Sequence, residues 1–275
     1  MSVNDHSLNV RGITVRFGGL TALDDVSLTA HGRQVTGIIG PNGAGKTTLL
    51  NVLCGFVRPR SGSAVFGGQD LTRLRAHQLA RLGIGRTLQG VGLFRGLTVL
   101  ENVMVGATPI SRAGFWSGFL ALPRSDGDER RLRRAALDAL EQVGAARYAD
   151  AMPDALAHGP RKRVALARAL VSGPRLLLLD EPASGLDEGE LPGLGELIGK
   201  LAAEATVVVI EHRMDLVMTI CARIHVLDFG RLLSSGTPAE VRADPRVTVA
   251  YLGEDTAAPA AAADDSPGAG RAGRG

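Results

Sequence analysis

One segment constrains what this chain can fold into more than any other: Gly40-Pro41-Asn42-Gly43-Ala44-Gly45-Lys46-Thr47. The apolar run over 34–39 before it predicts a buried strand, and the run over 47–53 after it predicts the start of a helix. Glycines at such a junction let backbone N–H groups turn inward around phosphate oxygens, and the helix N-terminus adds a favourable dipole. Spacing and context together predict a phosphate-binding loop rather than a glycine-rich turn that matches by chance.

Two side chains of this loop carry most of its predicted chemistry. Lys46 can reach the β- and γ-phosphates of a bound nucleotide, and the Thr47 hydroxyl can ligate Mg²⁺. The candidate nucleotide-binding residues of the segment are Gly40, Pro41, Asn42, Gly43, Ala44, Gly45, Lys46, Thr47 and Thr48.

Composition and charge exclude several classes of protein. The chain has 275 residues, of which 45% are hydrophobic, so it can form one large domain or two small ones. Its net charge of +3 is too small to indicate a nucleic-acid partner. No apolar run approaches the roughly 18 residues of a membrane-spanning helix, and residues 1–9 lack a signal-peptide core. Cys54 and Cys221 lie in apolar segments and indicate neither a disulfide framework nor a metal site. We therefore expect a soluble cytosolic protein.

The order of patterns along the chain predicts an α/β protein. Alternating polar and apolar residues over 8–30 indicate antiparallel strands. From residue 175 onward, apolar strands alternate with helical patterns, which predicts a mostly parallel sheet covered on both faces. Helical patterns dominate the region between, so we expect a helical insertion at about 95–172 of an ordered domain over 1–254. Residues 255–275 are rich in Ala, Pro, Gly and Asp and predict a disordered tail.

An acid pair supplies what a phosphate loop alone lacks. Four leucines over 176–179 predict a buried strand, and Asp180 and Glu181 follow at its carboxyl end, where ligands bind in open α/β sheets. We expect Asp180 to hold Mg²⁺ and Glu181 to accept a proton from the attacking water. The alternative interpretation of the acid pair is a solvated acidic turn, which is less favoured because the same chain contains a phosphate loop.

Three further side chains are candidate functional residues, although each could instead have a purely structural role. His212 follows another apolar strand and is expected at the same sheet edge, within hydrogen-bonding reach of a γ-phosphate. Gln89 follows a short predicted strand and could orient water or Mg²⁺, although spacing alone does not decide this. An aromatic such as Phe17 is more often part of a core than a ligand, yet its ring could stack on adenine.

Taken together, these segments resemble an ABC transporter ATP-binding subunit. The resemblance covers about residues 8–253 and rests on motifs that occur in the family's order: the phosphate loop, Gln89, Leu156–Pro160, Asp180-Glu181, Ser184–Asp187 and His212. Within that superfamily the chain is most similar to the ATPases of branched-chain amino acid importers. The stretches that carry this similarity are Val15–Leu20, Gly85–Gln89, Leu93-Phe94, Thr98–Asn102, Ile210–His212 and Ala250–Gly253.

The resemblance implies a fold and roles for single residues. The fold is that of a P-loop NTPase: a RecA-like parallel-sheet core, an N-terminal antiparallel β-subdomain and an inserted helical subdomain. Phe17 would stack on adenine, and Gln89 would sense Mg²⁺ and the membrane partner. Asp187 would communicate across a dimer. The implied activity is ATP hydrolysis coupled to transport, most simply uptake of branched-chain or other hydrophobic amino acids.

The resemblance also implies partners. Two ATP-binding subunits, alike or different, would enclose two ATP molecules, and each site would combine the phosphate loop of one subunit with Ala157, His158 and Gly159 of the other. The dimer would act on two transmembrane permease subunits at the cytoplasmic face of the membrane, supplied by an extracytoplasmic substrate-binding protein. Closure with ATP and opening after hydrolysis would drive the permease.

The chain departs from its family at Leu156-Ala157-His158-Gly159-Pro160, here called the signature segment, where the family usually has Leu-Ser-Gly-Gly-Gln. Ala157 lacks the hydroxyl, and Pro160 lacks both the Gln side chain and an N–H. Proline in the first turn of a helix is harmless to the fold. Loss of one charge-assisted hydrogen bond costs about 1.5–3 kcal/mol. Two hypotheses follow: a slower but active ATPase, or a degenerate half-site that pairs with a different subunit.

Other readings remain open at this stage. The same machinery could drive another cargo, such as lipid or lipopolysaccharide export. A ribosome- or DNA-directed ATPase usually carries two nucleotide units or a long coiled coil, and a GTPase would carry an Asn-Lys-x-Asp segment; neither pattern occurs. The aromatic segment around Trp116 is either a packed hairpin or an apolar patch facing the bilayer or a membrane partner.

Overall fold

The computed structural model describes residues 6–87, 92–107 and 123–255. Gln89, the segment around Trp116 and residues 256–275 therefore lie outside the described residues. The strands are β1 (Leu8–Phe17), β2 (Leu20–Ala30), β3 (Val35–Ile39), β4 (Ser61–Phe66), β5 (Gln69–Asp70), β6 (Ile84–Arg86), β7 (Leu176–Asp180), β8 (Thr206–Ile210), β9 (Arg223–Asp228) and β10 (Arg231–Gly236). The helices are α1 (Lys46–Leu53), α2 (Ala76–Leu79), α3 (Val99–Gly106), α4 (Pro123–Gln142), α5 (His158–Leu170), α6 (Leu191–Ala202), α7 (Met214–Ile220), α8 (Pro238–Ala243) and α9 (Pro245–Asp255).

The strands form two sheets. A four-stranded antiparallel sheet has the order β2-β1-β4-β5, which confirms the antiparallel strands predicted near the N-terminus. A six-stranded sheet has the order β10-β9-β3-β8-β7-β6, and its neighbouring strands are parallel apart from β10 and β9. The alternation predicted the mostly parallel sheet correctly, but the antiparallel edge strand β10 was not predicted.

The central strands are buried because both faces of the larger sheet are covered. All residues of β3, β7 and β8 are buried, which is why these segments are almost continuously apolar. Along β7, Leu177 and Leu179 join a core with the helices α3, α4 and α5. Leu176 and Leu178 join a second core with α1 and the antiparallel sheet. The strand therefore positions Asp180 between two packed layers, at the point where burial ends.

The helices α3, α4 and α5 follow β6 and precede β7, where a helical insertion was expected. The helix α4 presents a solvated basic face with four exposed arginines: Arg130, Arg131, Arg133 and Arg134. The bounds of 95–172 for the insertion and 1–254 for the domain stay predictions. One boundary needs correction, because α9 continues to Asp255 and the first residue of the predicted tail is helical.

Both cysteines are buried, as expected from their apolar surroundings, and both are free thiols. Burial raises the pKa of Cys54 to about 11 and that of Cys221 to about 12, so both thiols stay protonated at neutral pH.

In the described part of the chain, no helix combines the length and the apolar character needed to cross a membrane.

Candidate active site

The phosphate-binding loop is shaped by its main chain. It connects β3 to α1, and Gly40, Gly43 and Gly45 have φ angles of 149°, 78° and 100°. A Cβ atom on Gly40 would lie 2.1 Å from the Leu227 carbonyl oxygen, so β9 leaves room only for glycine there. A Cβ on Gly43 would meet nothing within 4 Å, so that side of the loop is open. The loop is closed against the protein on one side and accessible on the other.

Lys46 brings a positive charge into this loop. Its Nζ donates hydrogen bonds to the carbonyl oxygens of Gly40 at 2.5 Å and Pro41 at 2.8 Å. The residue is only 9% exposed. Thr47, by contrast, is exposed in the first turn of α1. A helix N-terminus, a glycine-rich main chain with positive φ angles and a buried ammonium form a site suited to a polyphosphate.

The other candidate loop residues follow the same division between buried and accessible positions. Pro41 and Ala44 are buried, Asn42 is exposed and Thr48 is partly buried in α1.

Asp180 ends β7 with its carboxylate buried. Its side chain is 2% exposed, and its N–H donates to the Thr87 hydroxyl oxygen at 3.0 Å. Burial raises the pKa of Asp180, whereas the neighbouring Arg86 lowers it. Among the described atoms, Asp180 Oδ2 has no hydrogen-bond partner. A buried carboxylate oxygen without a donor is available to a cation.

Glu181 lies in a backbone conformation unusual for its residue type. Its φ angle is 46°, and its N–H donates to the Ile210 carbonyl oxygen at 2.9 Å. The side chain is 33% exposed, and Glu181 Oε1 lies 3.9 Å from His212 Nδ1. The two candidate catalytic side chains, from β7 and β8, therefore meet at one edge of the sheet. Strained conformations of this kind cost about 1–3 kcal/mol and cluster at functional sites.

The sheet register explains this meeting. Asp180 pairs with Ile210 across β7 and β8, and Ile38 pairs with the same residue across β3 and β8. The phosphate loop, the acid pair and His212 thus leave the sheet at the same level. The structure brings the phosphate loop, the acid pair and His212 to one edge of the sheet.

Sequence reasoning missed Glu211, which organises this edge. Its side chain is fully buried and accepts hydrogen bonds from the backbone N–H groups of Ala183 at 2.6 Å, His212 at 3.1 Å and Arg213 at 3.4 Å. It therefore ties the loop after β7 to the loop after β8. The available signal was an acid directly after a buried strand, a position where a charge needs partners.

Lys162 was also missed. From α5 its Nζ donates to the carbonyl oxygens of Glu181 at 2.8 Å and Pro182 at 3.2 Å. Burial lowers its pKa, and Glu211 and Glu181 oppose that shift. The lysine holds the backbone around the strained Glu181 against the helix that begins at the signature segment.

The site fits a magnesium ion held by few protein groups. No cluster of three or more His, Cys, Asp or Glu side chains suited to a metal occurs in 6–87, 92–107 or 123–255. Magnesium needs no such cluster, because it is commonly bound by one or two protein oxygens together with phosphates and water. The Oδ2 atom of Asp180, which has no hydrogen-bond partner among the described residues, and the exposed Thr47 hydroxyl are suitable oxygen ligands.

Phe17 lies at the end of β1, and the residue is 51% exposed. It is not part of either large core, so the structure leaves its ring accessible to a base. Gln89 lies outside the described residues, and its predicted roles stay predictions.

The signature segment is held by contacts to the loop after β7. His158 Nε2 lies 3.2 Å from the Ser184 carbonyl oxygen. A Cβ on Gly159 would lie 2.3 Å from Glu190 Oε1. Ala157 is the N-cap of α5 and makes no side-chain capping bond. The helix runs unbroken through Pro160, as the sequence predicted.

Asp187 is exposed in that same loop, where its N–H donates to Glu190 Oε2 at 3.2 Å. The predicted signature and communication residues are therefore neighbours within one chain.

Comparison with known families agrees with this geometry. The sequence profile described as "ABC transporter" matches residues 23–184. The chain belongs to the ABC transporter family. A second profile, described as "Branched-chain amino acid ATP-binding cassette transporter", matches residues 231–257 at the C-terminal end of the described chain. The resemblance drawn from the motifs is confirmed.

Individual relatives cover nearly the whole chain. It is 42% identical over 253 residues to the high-affinity branched-chain amino acid transport ATP-binding protein LivG of Escherichia coli (strain K12), covering 90% of this chain and 98% of LivG. The ADP conformation of MJ1267, an ATP-binding cassette of an ABC transporter, matches with a TM-score of 0.78 and 30% identity, covering 90% and 98%. A dimeric post-hydrolysis structure of the cassette MJ0796, bound to ADP and Pi, matches with a TM-score of 0.70 and 27% identity, covering 84% and 98%.

These likenesses confirm the predicted P-loop NTPase fold and the predicted class of enzyme, an ABC transporter ATPase that binds ATP. ATPases of this family dimerise and work with transmembrane permease subunits.

Proposed function

We propose that this chain hydrolyses ATP at the carboxyl edge of its central sheet and thereby powers uptake of branched-chain or other hydrophobic amino acids. The observation that carries the proposal is the meeting of the phosphate loop, Asp180, Glu181 and His212 at one sheet edge. The cargo is supported by the function stated in the name of LivG and by the profile matched at 231–257. The description of that second profile favours an amino acid cargo over a lipid or lipopolysaccharide cargo.

Each side chain has a distinct part in the proposed reaction. Lys46 and the loop amides bind the phosphates, and Phe17 offers a stacking face for adenine. Glu181 accepts the proton of the attacking water, and His212 donates a hydrogen bond toward the γ-phosphate. Mg²⁺, when bound, would neutralise charge on the phosphates, and Thr47, Asp180 and Gln89 are the residues proposed to hold it.

The proposed assembly is a dimer docked to two permease subunits at the cytoplasmic face of the membrane, with an extracytoplasmic substrate-binding protein delivering the cargo. Ala157, His158 and Gly159 of one subunit would complete the site of the other, and Asp187 would link the two sites. A second candidate is a degenerate half of a heterodimeric pair. It is favoured by the missing hydroxyl at Ala157 and the missing amide at Pro160.

Calorimetry tests the nucleotide site. The purified chain should take up ATP in a magnesium-dependent reaction, and Lys46→Ala should lose most of that binding while keeping the wild-type circular dichroism spectrum. Identical titrations for the two proteins would overturn the proposal.

Mixing experiments distinguish the two assemblies. A homodimer should hydrolyse ATP by itself, whereas a degenerate half should turn over only after addition of a second ATP-binding subunit. Uptake of labelled leucine, in cells whose own chain is replaced by Glu181→Gln, tests the cargo. Undiminished uptake would contradict the assigned role.

A further inference from the structure

Arg86 is a partly buried cation that the proposed reaction does not use. It ends β6, and its NH2 nitrogen lies 3.9 Å from Asp180 Oδ2. The Arg86 side chain is 16% exposed and that of Asp180 is 2% exposed, so little water screens the pair. Opposite charges held this close in a buried position interact strongly.

The contact stops short of a complete salt bridge. At 3.9 Å the two atoms are beyond hydrogen-bonding distance. Asp180 Oδ2 and Arg86 Nε are both buried, and neither has a hydrogen-bond partner among the described residues. Each unmet buried polar group costs free energy, so this arrangement does not give the pair its greatest stability. The arrangement instead leaves the carboxylate lone pairs open while a positive charge remains beside them.

Other contacts fix the arginine in this position. Its NH2 also donates to Asn51 Oδ1 at 3.4 Å, and its guanidinium lies 5.1 Å from the ring centre of Phe56. Asn51 belongs to α1, the helix that begins at the phosphate loop. Arg86 thus joins β6, α1 and β7 around the carboxylate that is proposed to hold the metal.

We propose that Arg86 acts through Asp180: its guanidinium, a fixed positive charge beside that carboxylate, lowers the affinity of the site for a divalent cation. This inference rests on the proposed function, because it assumes that Asp180 contributes to a metal–nucleotide site. A dication near Asp180 is repelled by Arg86. The free protein then binds metal weakly, and the negative charge of the nucleotide phosphates supplies most of the attraction.

The consequence is that metal and nucleotide bind and leave together. With Arg86 beside it, Asp180 keeps a counter-charge when no cation is bound, and a buried lone carboxylate is avoided.

Manganese affinity tests the role of this charge. Mn²⁺ binding in the presence of ADP is followed by electron paramagnetic resonance for the wild type, Arg86→Gln and Arg86→Lys. Removing the charge in Arg86→Gln should tighten Mn²⁺ binding by about tenfold, whereas Arg86→Lys should stay near the wild type. Arg175→Gln is the matched control: it removes a guanidinium that contacts Phe66 and the Leu82 carbonyl oxygen rather than Asp180.

Each outcome decides the proposal. Equal Mn²⁺ affinity in Arg86→Gln and the wild type, or weaker binding in both Arg86 variants, would overturn it and leave Arg86 a structural residue. A similar tightening in Arg175→Gln would also overturn it, because net charge alone would then be responsible. If the wild type binds no metal–nucleotide at all, the proposed function fails first, and that result is distinct from any of these.

A further test uses the wild type, so its outcome does not depend on whether Arg86→Gln folds. The Arg86 Nε–H signal, assigned by its loss in Arg86→Lys, should shift in ¹⁵N–¹H spectra when Mg²⁺ is added to the ADP complex. A signal that does not move would contradict the proposed influence between guanidinium and metal.

Discussion

The phosphate loop and the signature segment each begin a helix of the chain, and they are built in opposite ways. At the phosphate loop the shape comes from the main chain: Gly45 caps α1 with a φ of 100°, and Gly40 fits where no side chain could. At the signature segment Ala157 caps α5 without a side-chain bond, and His158 makes its contact from an exposed position.

This difference explains where the chain departs from its family. A site made of buried main chain is damaged by nearly any added atom, because its neighbours cannot move away. The exposed positions Ala157 and His158 can change their side chains while the helix persists, and α5 continues through Pro160. The departures therefore lie at the signature segment, and the phosphate loop matches the motif in full.

The largest expected effect lies at the edge beside the phosphate loop. Glu181→Gln should slow ATP hydrolysis by about a hundredfold to ten-thousandfold, because the amide cannot accept the proton of the attacking water. Steady-state turnover and ATP affinity are measured together, and affinity should persist. Glu188→Gln is the control, since Glu188 is exposed in the loop that contacts the signature segment. Normal turnover of Glu181→Gln would remove Glu181 as the base.

Gly40→Ala tests whether the main chain alone shapes the phosphate loop. The new Cβ would lie 2.1 Å from the Leu227 carbonyl oxygen at a φ of 149°. Overpacking and backbone strain, at about 1–3 kcal/mol each, should lower the free energy of unfolding by about 2–6 kcal/mol. At Gly43 the φ angle is positive but an added Cβ meets nothing within 4 Å, so Gly43→Ala carries only the backbone strain. Urea unfolding of both variants therefore separates the cost of strain from the cost of overpacking. Equal losses would show that β9 does not enforce glycine at position 40.

Ala157→Ser tests the opposite behaviour at the signature segment. A serine N-cap stabilises a helix by about 1 kcal/mol, and the N-cap of α5 has the extended φ and ψ that such a cap needs. Thermal unfolding should shift upward by about 2–4 °C. ATP-driven dimerisation, followed by size-exclusion chromatography, should strengthen about tenfold if the hydroxyl meets the opposing phosphate. Ala203→Ser, at the end of α6, should change neither property.

The smallest expected effect concerns His225, on the strand β9 that packs against the phosphate loop, with His158 of the signature segment as its control. His225 on β9 is 2% exposed; its Nε2 lies 3.0 Å from the Thr29 carbonyl oxygen, and Nδ1 has no partner among the described residues. Burial lowers the pKa of His225 below its ordinary value of 6.5. The unfolded chain then takes up a proton that the folded chain refuses, so stability falls as pH drops below about 6.5.

Denaturation between pH 7.5 and 5.5 measures this slope. His225→Gln should flatten it, because the variant keeps a hydrogen-bond donor but loses the titrating ring. His158→Gln, in the signature segment, should keep the wild-type slope because His225 remains. A slope that survives in His225→Gln would assign the effect to another group.

The site residues that the sequence singled out lie in short stretches of chain. A strand of four leucines followed by two acids needs no distant contact to be recognised, and neither does the run of glycines before Lys46. The missed residues depend on distant partners. Glu211 accepts from Ala183, which is 28 residues away, and Arg86 approaches Asp180, on a strand much later in the chain. A single sequence can show that an acid after a buried strand needs partners, but it does not show which groups those partners are until the fold brings them together.

The sequence by itself determined the order of strands and helices, the phosphate loop and the position of the acid pair at a strand end, because each follows from local geometry and apolar periodicity. Only the tertiary structure decided that β3, β8 and β7 lie side by side in register, that Glu211 ties their loops together and that Arg86 faces Asp180. The physical reason is burial: packing on both faces of the sheet leaves charged groups at its edge few partners, and the fold selects which charges meet.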